Sequence, residues 1–362
     1  MLLINNQDVG KLFTMKDCLE ALEVGYDDLL KGDAVYRPRL DVWVPCERPD
    51  GYYRWGTMEG ASRKIGVFAI RMKSDIVYWP NGETEEKYCT QPGTFCGLVM
   101  VFSVRNGEPL AIINDGILQH MRVGGCAGLG VKYLAREDAS VVGIFGSGGM
   151  ARTYLEAFHE VRKLKKVKVY SRTKANREAY AKEMSAKLGL EVVAVNTREE
   201  VTRDSDIVST CTDSTRVVFD ESEWLKEGAH VTCVRACEIG PRVVKRCDLS
   251  VKLGRNTVET MDEGMIRLHG NVGYIAGQPE ERNRIPDPTV DNYRGGFFKY
   301  FMDLKAGRVP GRKNPKQITF FINAGTQGLQ FAACAGKIYQ LAKEKKMGRE
   351  LPTEWFLQDI RD

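Results

Sequence analysis

The 362-residue chain predicts an α/β protein: a doubly wound parallel sheet beside an α+β domain to which both chain ends contribute. Three observations carry that expectation. Between about residues 118 and 300, short apolar strand-like runs alternate with helical patterns. A glycine-rich turn, GSGGMA, sits between one such strand and the next helix. Before residue 118 the strand-like runs are separated by turn signals instead of helices.

Taken in order, residues 15–31 carry a helical pattern. RLDVWVP, YYRWGTM, IGVFAIRMKS, TFCGLVMVFSV and PLAIIND follow, with the turn signals PDG (49–51), NGE (81–83) and NGE (106–108) between several of them. Hairpins at that spacing predict an antiparallel sheet. The parallel part opens with SVVGIFG (140–146) and a helix to about Lys163, then VKVYS and a helix over about 174–188. EVVAV (191–195), DIVSTC (206–211), HVTCV (230–234) and LSVKL (249–253) continue it. YRGGFFKYF (293–301) reads as a packed helix start with a glycine hinge, and AGRVPGRKNP (306–315) as a loop. QITFFIN and a helix over about 326–346 have no βα partner, so they are expected to return to the first block. The division expected is 1–117 with 315–362, against 118–314. The tail ELPTEWFLQDIRD is expected to rest Trp355 and Phe356 on the body.

Composition excludes several classes of function. Hydrophobic residues make up 43% and charged residues 28%, the balance of a globular chain and not a disordered one. The net charge of +5 is spread out, and the basic run RKLKKVK (162–168) reads as the solvated end of a helix. No nucleic-acid motif accompanies it, so no nucleic-acid partner is expected. Ten cysteines include no C-x-x-C pair and the four histidines lie at no zinc spacing, so no metal site is expected. No secretory leader opens the chain, and no run approaches the ~20 apolar residues of a membrane span. The expected location is the cytoplasm, with reduced thiols that mostly serve as small core residues.

Gly146-Ser147-Gly148-Gly149-Met150-Ala151 is a G-x-G-x-x-A fingerprint directly after a strand and opening a helix. Gly146 permits the tight turn, Gly148 lets the backbone approach a pyrophosphate, and Ala151 allows close helix–strand packing. The pyrophosphate would lie at the helix N-terminus, where free N–H groups and the dipole favour an anion. That context predicts a Rossmann dinucleotide site lined by Gly146, Ser147, Gly148, Gly149 and Met150. Thr210 and Thr212, at the end of DIVSTC, are assigned to the same cofactor site.

The next strand ends in Tyr170-Ser171-Arg172-Thr173, where an NAD site would carry Asp or Glu for the ribose hydroxyls. An acid there would repel a 2′-phosphate. Ser171 and Thr173 can donate to one, and Arg172 can pair with it and lie on the adenine. NADP(H) is therefore expected over NAD(H).

INDGILQHMRVGGCAGLGVKYLA (113–135), the glycine loop, VPGRKNPKQITFFINAGTQGLQ (309–330) and TMEGA near residue 58 together resemble the ornithine cyclodeaminase/mu-crystallin family over about residues 35–345. The resemblance implies a Rossmann domain plus a substrate and dimerisation domain from both chain ends, and a homodimer. It implies a small amino or imino acid with a carboxylate as substrate. By position it makes Arg122 the substrate-carboxylate arginine, a role that its bidentate fork suits. Arg71 falls near the family's substrate-contacting lysine, keeping the charge but not the ability to titrate. Lys73, two residues on and on the same strand face, can take over proton transfer. Arg39 matches another carboxylate-contacting arginine, and Thr94 a threonine near the nicotinamide end.

Two departures shape the expected chemistry. Ornithine cyclodeaminases carry a Glu two residues before the Met of TMEGA, where this chain has Gly56, while Glu59 points to the opposite face from Met58. They also use an Asp after the fifth Rossmann strand. Here Cys237 holds that position with Glu238 next to it. Glu238 is either the acid/base of a turn one residue longer or a helix N-terminal carboxylate. Mu-crystallin-type reductases lack both acids. The expected activity is thus NADPH-dependent reduction of a C=N bond beside a carboxylate, or the reverse amino-acid dehydrogenation. Cyclodeamination with a recycled NAD, and non-catalytic NADPH binding, remain the alternatives. The insert over 73–95, with Tyr78, Trp79 and Tyr88, reads as a hairpin extension over the substrate site or as a dimer contact.

Overall fold

The computed structural model describes residues 1–80, 84–254, 264–268, 271–285 and 298–360. Among them two sheets dominate. The first runs in the order Met265–Leu268, Asn271–Ile275, Leu40–Pro45, Gly51–Ser62, Val67–Tyr78, Cys96–Ser103, Pro109–Asn114, Leu2–Ile4, Arg349–Glu350. Ala34–Tyr36 adds to Gly51–Ser62, and Glu86–Tyr88 to Val67–Tyr78. Its centre is antiparallel, as the hairpin spacing predicts.

The second sheet is parallel, in the order Glu191–Ala194, Lys166–Tyr170, Val141–Phe145, Ile207–Thr210, His230–Cys233, Thr319–Ile322, Leu249–Lys252, Lys299–Tyr300. The strand order reverses between Val141–Phe145 and Ile207–Thr210, the switch point where doubly wound sheets open a ligand crevice.

Three placements differ from expectation. Thr319–Ile322 does not return to the first block but lies inside the parallel sheet, between His230–Cys233 and Leu249–Lys252. All four of its residues are buried. Continuous apolarity of this kind is the mark of a strand covered on both faces, which an isolated final strand conceals. Asn271–Ile275 crosses the other way and pairs in parallel with Leu40–Pro45. Trp355 and Phe356 do not rest on the body: they are 71% and 43% exposed, although Met1 N bonds Leu351 O just before them. Of YRGGFFKYF, residues 293–297 lie outside the described residues. Lys299–Tyr300 is an edge strand, followed by the helix Phe301–Lys305.

The helix Asp115–Leu134 joins the two sheets. It starts on Asn114, whose side chain accepts from Gly116 N, and packs along the helix Gly149–Val161. The glycines of VGGCAGLG explain how closely. A Cβ on Gly124 would stand 2.5 Å from Thr153 O, and one on Gly128 would stand 2.9 Å from Ala157 Cβ. The helix Gln327–Lys345 lies across Gly51–Ser62 and Val67–Tyr78. Its packing fixes Gln330 and Phe331 beside the start of the junction helix.

Candidate functional site

The glycine loop leaves the C-terminal end of Val141–Phe145 at the switch point. Gly146 has φ +104°, and a Cβ there would stand 2.2 Å from Cys211 O, so only glycine fits. Gly148 caps the helix Gly149–Val161 with no side-chain hydrogen bond, and a Cβ on it would meet nothing within 4 Å. The helix N-terminus is thus open beside Gly148, and such a terminus can receive a pyrophosphate. Ser147 Oγ donates to Ser171 Oγ at 3.1 Å, tying the loop to the end of the neighbouring strand. Met150 is half-buried in the first turn.

Arg172 and Thr173 are exposed beside this pair. Thr173 caps the helix Lys174–Leu188 without a side-chain bond, and the first turn of that helix holds no acid. Arg177 in the same turn is buried and donates to Ser171 O at 2.9 Å. Arg172 makes no ion pair among the described residues. The strand end therefore gathers two arginines and an uncapped helix N-terminus with no carboxylate.

Glu238 does not reach this crevice. It has no accessible surface. Its carboxylate accepts from Thr212 N at 2.8 Å, Thr212 Oγ1, Thr210 Oγ1 at 3.2 Å and Arg235 N at 3.0 Å. Burial pushes its carboxyl up, although these donors oppose the shift. Of the two options the sequence left open, its placement matches the structural one: a carboxylate that closes the turn Ala236–Glu238. The acid/base role is not supported. The Thr210 and Thr212 hydroxyls, expected at the cofactor, are committed to that carboxylate.

The residues expected at the substrate gather on one face of the antiparallel sheet. Residues 71, 73, 75 and 77 of Val67–Tyr78 point to it, and so do their cross-strand partners Met58, Gly56, Arg54 and Tyr52. Asp41 pairs with Gly56, and Lys87 on the returning strand Glu86–Tyr88 pairs with Val77. Arg71 Nε donates to Asp115 Oδ2 at 2.5 Å, with both side chains buried. Gly97 makes this possible, because a Cβ there would lie 2.0 Å from Asp115 Oδ1.

Arg122 lies two turns into the junction helix. Its Nη1 donates to Gln330 Oε1 at 2.8 Å and its Nη2 to Gln119 Oε1 at 2.7 Å. The Gln330 amide is oriented by donating to Gly325 O at 2.8 Å. Arg122 Nε is buried without a hydrogen-bond partner, and no carboxylate pairs with the guanidinium among the described residues. Burial in these surroundings pulls its pKa down to about 10. The Cζ atoms of Arg122 and Arg71 lie 4.7 Å and 5.7 Å from the centroid of Phe331, so the two expected carboxylate-binding arginines share one ring.

Lys73 is buried, and its Nζ is 3.4 Å from both Asp75 oxygens. Burial, followed by Arg54 and Arg39, pushes its ammonium well below the usual lysine range. Asp75 is held below the usual carboxylate range because Arg54 and Lys73 outweigh its burial. Arg54 grips Asp75 with Nε at 3.2 Å and Nη2 at 3.0 Å. Arg39 comes to the same face, but Nε at 2.9 Å and Nη2 at 2.9 Å are taken by Asp41. Thr94 lies in an exposed turn where its hydroxyl donates to Gln91 O at 2.7 Å, and no described contact joins it to the glycine loop.

Gly56 has a specific structural use. A Cβ there would stand 2.4 Å from Asp41 Oδ1 and 2.7 Å from Lys73 Cε. A carboxylate from the adjacent strand thus fills the space over the position where the cyclodeaminase glutamate is missing. Glu59, on the other face, pairs with Arg37.

Sequence reasoning missed Asp41, Lys87, Phe95, Asp115, His120, Gln330 and Phe331. Only pairing register would have found most of them. His120 Nδ1 bonds Gly116 O at 2.9 Å, and a Cβ on Gly149 would lie 2.9 Å from its Nε2. It therefore stands against the start of the helix Gly149–Val161, on the same helix as Arg122.

The ornithine cyclodeaminase/mu-crystallin family profile matches residues 2–346. The chain belongs to the ornithine cyclodeaminase/mu-crystallin family. Among members of that family, a Delta(1)-pyrroline-2-carboxylate reductase of Bacillus cereus is 28% identical over 292 residues, covering 79% of this chain and 81% of the relative. The solved Thermococcus litoralis Delta(1)-pyrroline-2-carboxylate reductase, in complex with NADH and L-proline, superposes with a TM-score of 0.74 at 26% identity. That match covers 97% of this chain and 100% of the other. An archaeal alanine dehydrogenase dimer with bound NAD has the same fold, with a TM-score of 0.76 at 22% identity over 97% and 99% of the two chains. No helix among the described residues is long and apolar enough to cross a membrane.

Proposed function

We propose that this protein is an NADP(H)-dependent oxidoreductase acting on the C–N bond of an α-imino or α-amino acid, with reduction of the imine as the favoured direction. The observation that carries this reading is Arg122, a buried guanidinium without a carboxylate partner, on the helix that links the first sheet to the packing of the cofactor loop. Burying an unpaired cation is costly unless a ligand neutralises it. A planar fork held by two glutamines is matched to a carboxylate. The B. cereus and T. litoralis relatives, named for a cyclic imino-acid reductase, support the same class.

In this reading the dinucleotide is held by the Gly146–Met150 loop and the Ser171–Thr173 strand end, and it supplies a hydride to the substrate carbon. Arg122 binds the carboxylate, with Arg71 beside it, and so fixes which face of the imine carbon is presented. A protonated imine is already electrophilic. It takes up the hydride at carbon, and its C=N pair returns to nitrogen as the amine lone pair. Lys73 keeps the imine nitrogen protonated, or receives the amine proton in the reverse direction. Glu238 has no step in this scheme. Preference for NADP(H) rests on Arg172 and on the acid-free strand end. The NADH in the T. litoralis relative belongs to that protein.

The opposite, solvent-facing side of the antiparallel sheet presents Phe68, Ile70, Met72, Leu98, Met100 and Phe102, each half-buried or exposed. An apolar face of this kind fits a homodimer. The division into a Rossmann and a substrate domain then follows the two sheets, with Thr319–Ile322 in the former and Asn271–Ile275 in the latter.

The reading is tested with purified protein, NADPH and a panel of cyclic and ammonia-derived α-imino acids, followed by the absorbance of the reduced nicotinamide. Arg122→Leu should cut kcat/KM by roughly a hundredfold or more, the scale of a lost charge-assisted pair, while NADPH affinity holds. Turnover of no imino acid by the wild type would remove the proposal.

A further inference from the structure

The insert over 73–95 carries a second cation to the sheet face of Arg71 and Lys73, and it too has no carboxylate partner among the described residues. Lys87 lies on Glu86–Tyr88 opposite Val77, so it shares a face with Arg71, Lys73 and Asp75. Its Nζ lies 5.5 Å from the centroid of Phe95, and Arg71 Cζ lies 5.6 Å from the same centroid. Arg71 and Arg122 in turn share Phe331. Phe95 is thus shared by Lys87 and Arg71, and Phe331 by Arg71 and Arg122.

The middle cation is neutralised by Asp115, and the outer two have no ion pair among the described residues. Lys87 is exposed, so its ammonium is open to a ligand. Among the described residues each carboxylate named on this face touches an arginine: Asp41 with Arg39, Asp75 and Glu85 with Arg54, Asp115 with Arg71. Among the described residues the face therefore has two cations without an ion pair, and its carboxylates are already held by cations of the protein.

We propose that Lys87 and Arg122 bind the two carboxylates of one substrate, so that the imino acid reduced carries an acidic side chain. This rests on the reading of the site as an imino-acid reductase and narrows its substrate class. The α-carboxylate takes Arg122, nearer the cofactor loop, and the side-chain carboxylate takes Lys87 at the mouth. Phe95 and Phe331 line the path between them. A basic side chain, as in ornithine, would meet Lys87 with like charge.

The test compares matched pairs of α-keto acids with ammonia and NADPH: α-ketoglutarate against α-ketovalerate, and oxaloacetate against α-ketobutyrate. The wild type should favour the dicarboxylic member of each pair by roughly tenfold or more in kcat/KM, the factor expected of one charge-assisted hydrogen bond. Lys87→Met should collapse that ratio towards one, and Lys87→Arg should keep it. Turnover of the monocarboxylic acids with a wild-type ratio near one overturns the proposal and leaves the reductase reading standing. A ratio that survives Lys87→Met also overturns it. Turnover of no member of either pair, with activity on a cyclic imino acid, overturns it as well. Inactivity on all of them removes the reductase reading beneath it.

Discussion

Asp115 and Arg71 form a buried ion pair at 2.5 Å across two elements that are far apart in the chain, the start of the junction helix and the middle of a sheet strand. The pair has a consequence for its neighbour. With Asp115 committed to Arg71, Arg122 is left as a cation that only a ligand can neutralise. The same helix thus supplies the anion that satisfies one arginine and, in the proposed function, the cation that takes the substrate carboxylate.

Asp115→Asn should therefore destabilise the protein by about 3–5 kcal/mol, the range for removing one partner of a buried pair. Chemical denaturation of the two proteins measures it. A change below ~1 kcal/mol would mean that Arg71 finds another partner when Asp115 is lost, the scale of an exposed ion pair.

Lys73 sets a pH dependence. Its ammonium form is the one that protonates an imine, and burial with Arg54 and Arg39 lowers its pKa. The protonated fraction is full below that lowered pKa and is lost as pH rises through it. The alkaline limb of kcat/KM for reduction should thus fall below the ordinary lysine range. Asp41 and Asp75 oppose the shift, so Asp41→Asn should move the limb further down. Lys73→Met should abolish it. An unchanged limb in Lys73→Met assigns it to another group.

Arg172→Ala should weaken NADPH binding by roughly tenfold to a hundredfold, the range for one charge-assisted contact to phosphate. NADH affinity should change little, because NADH has no 2′-phosphate to lose. Fluorescence titration of both cofactors decides. Equal losses would mean that Arg172 contacts only the adenine.

Glu238→Gln should lower the melting temperature while keeping most of the turnover, because the carboxylate holds Thr210, Thr212 and the Arg235 turn together and faces no substrate. A stable variant with activity reduced by a factor of ~100 or more, the scale of lost general acid–base catalysis, would restore the acid/base role.

Much of the parallel sheet was legible because each of its strands is a short apolar run next to a helical one. The glycine turn between strand and helix was legible because it is encoded in a few adjacent residues, and its proposed phosphate role is of the same local kind. Two kinds of information were not local. QITFFIN looks like any buried strand, and nothing in its composition says which sheet receives it. The partners Asp41, Asp115 and Lys87 are set by strand register and by glycines 56 and 97 that leave room for them, which no spacing along the chain encodes. Glu238 was legible as a carboxylate near a turn, but only the threonine hydroxyls around it decide that it is structural. The expected role of Arg39 is complicated in the same way, since Asp41 claims its fork.

The stoichiometry of the nicotinamide tests the central claim most directly. With an α-imino acid and NADPH, one reduced cofactor should be consumed for each amino acid formed. Release of ammonia from ornithine, with no net change in reduced cofactor and no oxidation of NADPH by any imino acid, would contradict it.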